Sequence, residues 1–122
     1  MDWKLNTERP IYAQLIEQIT ELIVSGVYQP GSKMPSVRDL AQDAAVNPNT
    51  MQKALAELER NGIVHTQRTS GRFITEDIDM LNQTKQNLAA NQIASFLERM
   101  SQLGFTKEEI ISLIQNNAKE ND

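Results

Sequence analysis

Asn47-Pro48-Asn49-Thr50-Met51-Gln52-Lys53-Ala54-Leu55-Ala56-Glu57-Leu58-Glu59-Arg60 is the stretch that decides the fold. Asn47 offers a side-chain cap, and Pro48 at the first helical position has no amide hydrogen to leave unpaired, so the helix start is specified twice. At 3.6 residues per turn, Met51, Ala54, Leu55 and Leu58 share one face, while Asn49, Gln52, Lys53, Ala56 and Arg60 look away from it. The outward face begins with amides and one lysine. Asn and Gln can each donate and accept, which is what reading base edges in a DNA major groove requires. An ordinary amphipathic helix with a solvated face would show the same pattern, so the flanking sequence has to decide.

Immediately upstream, Ser36 with Asp39 three residues on is a capping-box-like start for a short helix through about Asp43. Val37, Leu40, Ala41 and Ala44 lie inward, and Arg38 points outward from the first turn, within reach of a phosphate or a guanine edge. Only Ala44-Ala45-Val46 separates this helix from the next, room for a tight turn with one apolar plug, which predicts a helix-turn-helix. Downstream, Asn61-Gly62 is a left-handed stop. Ile63-Val64-His65-Thr66-Gln67-Arg68 and Arg72-Phe73-Ile74-Thr75 are then β-branched and aromatic runs separated by Thr69-Ser70-Gly71, a hairpin. This hairpin is a wing that puts Arg68 and Arg72 at or beside its tip. There they could enter a minor groove or hold a phosphate, or simply keep a strand edge soluble.

Further upstream, Ile11, Tyr12, Leu15, Ile16, Ile19, Leu22 and Ile23 recur at three and four, predicting a first helix from about Pro10 to Ser25 with Gly26 as its stop. Val27 to Pro35 packs two prolines and a glycine into nine residues, a structured connection that Tyr28 and Met34 fasten to the core. Trp3 and Leu5 read as a short half-buried strand or an ordered arm. Three helices followed by a hairpin, with caps, turns and arginines all consistent, predict a mainly α chain with a small β-hairpin wing: a winged helix-turn-helix over residues 1–75.

The whole chain limits the alternatives. At 122 residues with no cysteine and no apolar run of spanning length, it predicts one small domain with a short appendage, with no disulfides, in the cytoplasm. The net charge of −4 belongs to residues 76–122; residues 1–75 carry eight Lys/Arg and eight Asp/Glu. A DNA surface must therefore arise from placement of charge, and the acidic balance is what favours the rival reading, a winged-helix protein-interaction module without DNA binding. His65 is the only histidine and lies in the wing, leaving Glu76, Asp77 and Asp79 without imidazole partners, so no metal site is expected. No nucleophile, base and orienter can be assembled, which argues against an enzyme; no cofactor is expected.

Residues 10 to 75 resemble the DNA-binding domain of GntR-family bacterial transcription regulators. The resemblance is carried by Pro10-Ile11-Tyr12, by Gly26 with Tyr28-Gln29-Pro30-Gly31, by Met34-Pro35-Ser36-Val37-Arg38-Asp39-Leu40-Ala41 and Val46-Asn47-Pro48-Asn49-Thr50, and by Leu58-Glu59-Arg60-Asn61-Gly62-Ile63 and Gly71-Arg72-Phe73-Ile74. The family pattern implies operator contacts by Arg38, Asn47, Asn49, Thr50, Gln52, Lys53, Arg68 and Gly71. With Lys33 and Arg72 added as cations, Lys33, Arg38, Lys53, Arg68 and Arg72 are expected to attract phosphates, while Asn49, Thr50, Gln52 and Arg38 read bases. Relatives often have a Gly-x-Gly wing tip; Thr69-Ser70-Gly71 keeps only the second glycine. The Val-Asn-Pro-Asn-Thr turn and short C-terminal part resemble the YtrA-type subfamily. That resemblance implies regulation of a neighbouring ABC-transporter operon and of the regulator's own gene, with repression the expected mode.

Residues 76–122 predict a two-helix dimerisation tail. Between 77 and about 103 there is neither proline nor glycine, and Leu81, Leu88, Ile93, Phe96, Leu97, Met100 and Leu103 recur as on one long helix. Gly104 stops it, and Thr106 with Glu109 forms a capping box for a second helix bearing Ile110, Leu113 and Ile114. Two helices cannot enclose a large core. Their apolar faces call for a second copy of the chain, and a two-fold dimer matches a palindromic operator. The tail folding back on the first helix is the competing arrangement. A small-molecule effector site, if there is one, is expected at the dimer interface, and Glu76, Asp77 and Asp79 are expected to mark a hydrophilic hinge.

Overall fold

The computed structural model describes residues 2–121. In chain order the elements are α1 (Ile11–Val24), α2 (Val37–Ala44), α3 (Pro48–Arg60), β1 (Val64–Gln67), β2 (Gly71–Ile74), α4 (Ile78–Gln102) and α5 (Lys107–Asn121). They fall into two compact units, residues 1–85 and 86–122.

Local chemistry sets the limits of the first three helices. Ser36 Oγ accepts from the Asp39 amide at 3.1 Å and starts α2; Asn47 Oδ1 accepts from the Asn49 amide at 2.8 Å and starts α3, with Pro48 at its first position. The turn between these helices closes through Ala45, which adopts φ +56° while its amide donates to Gln42 O and that of Val46 to Ala41 O. This left-handed conformation disfavours any residue with a Cβ. At the end of α3, Gly62 takes φ +83° and the Ile63 amide returns to Leu58 O at 3.1 Å.

β1 and β2 pair antiparallel, with Val64 opposite Ile74 and Thr66 opposite Arg72. A third stretch lies along the other edge of β2. The Met34 amide donates to Arg72 O at 2.8 Å, the Ile74 amide donates to Ser32 O at 2.9 Å, and Lys33 bridges Phe73. From the sequence this segment is expected only as a structured connection, because Pro30 and Pro35 at its ends hide a strand-like pairing of three residues between them.

Leu15, Ile19 and Ile23 of α1, Leu40 and Ala41 of α2, and Met51, Ala54, Leu55 and Leu58 of α3 form the buried core with Met34, Ile63, Val64 and Ile74. Burying each large aliphatic side chain here contributes roughly 1.5–3 kcal/mol. The arm before α1 forms no strand. Gln14 and Gln18 hold it instead: the amide of Gln14 donates to Asn6 O and accepts from Asn6 N, and that of Gln18 does the same for Lys4, at 2.9–3.0 Å. Trp3 Nε1 donates to Asp43 Oδ2 at 2.8 Å, and Trp3 and Leu5 pack against the core.

The first turns of α4 belong to this unit. Asp77 Oδ1 caps the helix through the Met80 amide at 3.0 Å, and Leu81 is buried in the core. Leu81, expected on a dimer face, is thus covered by its own chain. Asp77, expected in a hinge, is a helix cap.

In the second unit, Gly104 at φ +96° ends α4 with the Phe105 amide returning to Met100 O. A reciprocal capping box then starts α5. The Thr106 amide donates to Glu109 Oε1 at 3.0 Å and the Glu109 amide to Thr106 Oγ1 at 3.2 Å, holding the Glu109 carboxyl below its ordinary value. Ile110 is buried, another departure from the expected dimer face, whereas Ile93, Leu97, Leu103, Ile111 and Ile114 are exposed by 37–72 %. Leu88, Phe96, Met100 and Leu113 are half-buried.

Candidate DNA-binding surface

The α3 wheel divides as its spacing requires: Met51, Ala54, Leu55 and Leu58 are buried, while Asn49, Gln52, Lys53, Ala56 and Arg60 are exposed. Asn47 uses its Oδ1 as the helix cap, so it is the remainder of this side chain that is open to a ligand. Thr50 is half-buried beside it. Lys53 stands over the ring of Tyr12 with Nζ 4.2 Å from the centroid, which holds its charge on the α1 side of the helix.

Residues 1–75 carry no net charge, so the pairing of their charges decides which cations are left for a ligand. Arg9 pairs with Glu17 at 2.7 Å, Arg60 with Glu57 at 3.0 Å and Arg72 with Glu59 at 2.6 Å. Arg38 and Arg68 are exposed and have no carboxylate partner among the described residues. These two are the arginines at the start of α2 and in the wing turn, and they flank the exposed start of α3 in sequence. The Arg9 guanidinium also keeps the Glu17 carboxyl below its ordinary range through their hydrogen bond.

Lys33, Ser36, Asp39, Thr66, Thr69, Ser70, Gly71 and Arg72 line one groove between the wing and the start of α2. Gly71 is required there. Its φ is +103°, and a Cβ at that position would meet Lys33 Cε at 3.2 Å. The structure therefore brings Lys33 and Gly71 together, with Asp39 as an acid on the same groove.

Arg72 departs from its expected role as a free cation at the wing tip. Its side chain is only 18 % exposed, and Nε donates to Glu59 Oε1, which also accepts from Thr66 Oγ1. These bonds, that from Thr66 foremost, hold the Glu59 carboxyl below its ordinary value. The sequence alone assigns Glu59 no role. The available signal was its position one turn before the helix stop, followed by a hairpin carrying Thr66 and Arg72 directly opposite each other. Among the described residues, no three His, Asp or Glu side chains come together as a metal cluster, and no helix is long and apolar enough to cross a membrane.

A family profile described as "Bacterial regulatory proteins, gntR family" matches residues 11–74, from the start of α1 to the end of β2. The chain belongs to the GntR family. Its members are transcription regulators rather than enzymes, and the chain is a DNA-binding regulator of this kind with a winged helix-turn-helix. It is 43 % identical over 94 residues to the HTH-type transcriptional repressor YtrA of Bacillus subtilis, covering 77 % of this chain and 68 % of that protein. Its fold is similar to that of a GntR family transcriptional regulator from Listeria monocytogenes. That match has a TM-score of 0.85 and 39 % identity, covering 92 % of this chain and 98 % of the other. It also matches AraR(DBD), solved in complex with operator ORE1, at a TM-score of 0.53 and 30 % identity over 62 % of this chain and 94 % of that one.

Proposed function

We propose that this GntR regulator is a cytoplasmic homodimeric repressor that binds a palindromic operator, each protomer placing the start of α3 in a major groove and its wing beside it. The observation that carries the reading is the exposed Asn49 and Gln52 of a doubly specified helix start, accompanied by Arg38 and Arg68, the two arginines of the first unit without a carboxylate partner among the described residues. Arg38, Lys33, Lys53 and Arg68 supply phosphate attraction, and Asn49, Thr50 and Gln52 choose bases. Homodimerisation is supported by the exposed Ile93, Leu97, Leu103, Ile111 and Ile114 of α4 and α5.

Repression is supported by the likeness to YtrA, whose printed name is that of a repressor. The same subfamily resemblance is the support for an ABC-transporter operon as target, and an effector would bind between the paired tails. Selection from random-sequence duplex DNA tests the reading. A palindrome should be enriched, and affinity for it should fall with a log-log salt slope of about −7 if a dimer contacts about eight phosphates. No enrichment at low salt would favour the protein-interaction module instead.

A further inference from the structure

We propose that Glu59 is a positioning residue for DNA reading: one carboxylate oxygen at the end of the recognition helix fixes the wing so that both contact the same duplex in register. Glu59 Oε1 accepts from Thr66 Oγ1 and from Arg72 Nε, the latter at 2.6 Å. Thr66 and Arg72 are direct partners across the two strands of the hairpin. A single atom on α3 therefore holds both strands at one rung. Only the pair Gln67 and Gly71 separates that rung from the turn that carries Arg68. The far edge of the hairpin is fixed at the same place, because the Arg72 carbonyl accepts from the Met34 amide at 2.8 Å.

Charge makes the arrangement more than local packing. A carboxylate beside a DNA surface repels phosphate, and an arginine spent on that carboxylate is withdrawn from phosphate binding, so the pair lowers general attraction to DNA. What the pair supplies is orientation, since a charge-assisted bond shared by two strands restricts the tilt of the hairpin. Specificity gains when non-operator DNA loses more than operator DNA does.

The inference rests on the operator-binding reading. It is tested by measuring, for the full chain, affinity for the selected duplex and for a scrambled duplex of equal length across a salt series. In Glu59→Gln, scrambled-duplex binding should strengthen and its salt slope steepen by about 1 per protomer as the arginine is released. The selected-to-scrambled affinity ratio should meanwhile fall on the order of tenfold, the scale of a charged hydrogen bond. Arg72→Met should lower the ratio similarly without strengthening scrambled binding, and the double variant should be no worse than either single one. Both side chains are partly exposed, at 18 % and 30 %, so the variants should melt as cooperatively as the parent. A ratio within about twofold of the parent in both single variants overturns the inference while leaving the regulator reading intact. A parent with no preference for the selected duplex overturns both.

Discussion

Helix α3 and the tail helices each carry recurring apolar residues, and these meet different fates. Met51, Ala54, Leu55 and Leu58 of α3 are all buried, covered by α1, α2 and the hairpin, whereas Ile93, Leu97, Leu103, Ile111 and Ile114 remain exposed. Periodicity tells which residues share a face; it does not tell whether the chain has anything to cover that face. The first unit, residues 1–85, has several elements whose apolar faces converge, while residues 86–122 fall below the roughly 40 residues at which a chain segment usually needs outside help to bury a core. In the proposed function, that difference separates reading DNA from pairing two readers.

The sharpest way to break the comparison is Leu55→Ala. It should remove about 2–5 kcal/mol of folding stability, measured by denaturant unfolding, because the core around it cannot collapse fully into the cavity. Leu97→Glu should act on the other side. A charge placed in the proposed interface should weaken self-association by about 3 kcal/mol, read by sedimentation, while the melting of the first unit stays unchanged. Equal thermal destabilisation by the two substitutions would abolish the distinction.

Arg38→Ala comes next, with operator affinity falling by about 1–3 kcal/mol and no change in melting, as expected of an exposed contact residue. Ala45→Gly should stabilise the first unit by about 0.5–1 kcal/mol. It relieves the left-handed strain at φ +56°, against the larger backbone entropy glycine loses on folding.

Acidification provides the smallest effect. Glu59 has a folded pKa below its unfolded value of about 4.3. Its contribution to stability is therefore complete above that value and is lost as pH falls through the lower folded one. The difference in melting temperature between the parent and Glu59→Gln should accordingly shrink as pH drops from 5 toward 3.

Much of this was legible in the residues. The caps Ser36, Asn47 and Thr106 lie where their side chains can satisfy the first amides of a helix, and each does so. The stops at Gly26, Gly62 and Gly104 take positive φ as their positions require. What escaped the reading depended on contacts between distant segments. Leu81 recurs with the other apolar residues of one long helix, and only the packed fold shows that it lies against its own core. Arg72 looked like a free tip cation because pairing with Glu59 requires the hairpin to bend back over the end of α3. The edge pairing of residues 32–34 was concealed by the prolines that bracket it. The glutamine side chains that hold the arm carry no sequence signal beyond their spacing of four.

The central claim is a division of labour in which each protomer reads a half-site and the tails join two protomers. It is tested most directly by the mass of the complex formed on the selected palindrome, measured by sedimentation with protein in slight excess. The account predicts two chains per duplex for the parent and, for Leu97→Glu, weakened binding that populates a species with one chain per duplex. A parent complex of one chain per duplex, bound as tightly as the palindrome allows and unaffected by Leu97→Glu, would contradict it.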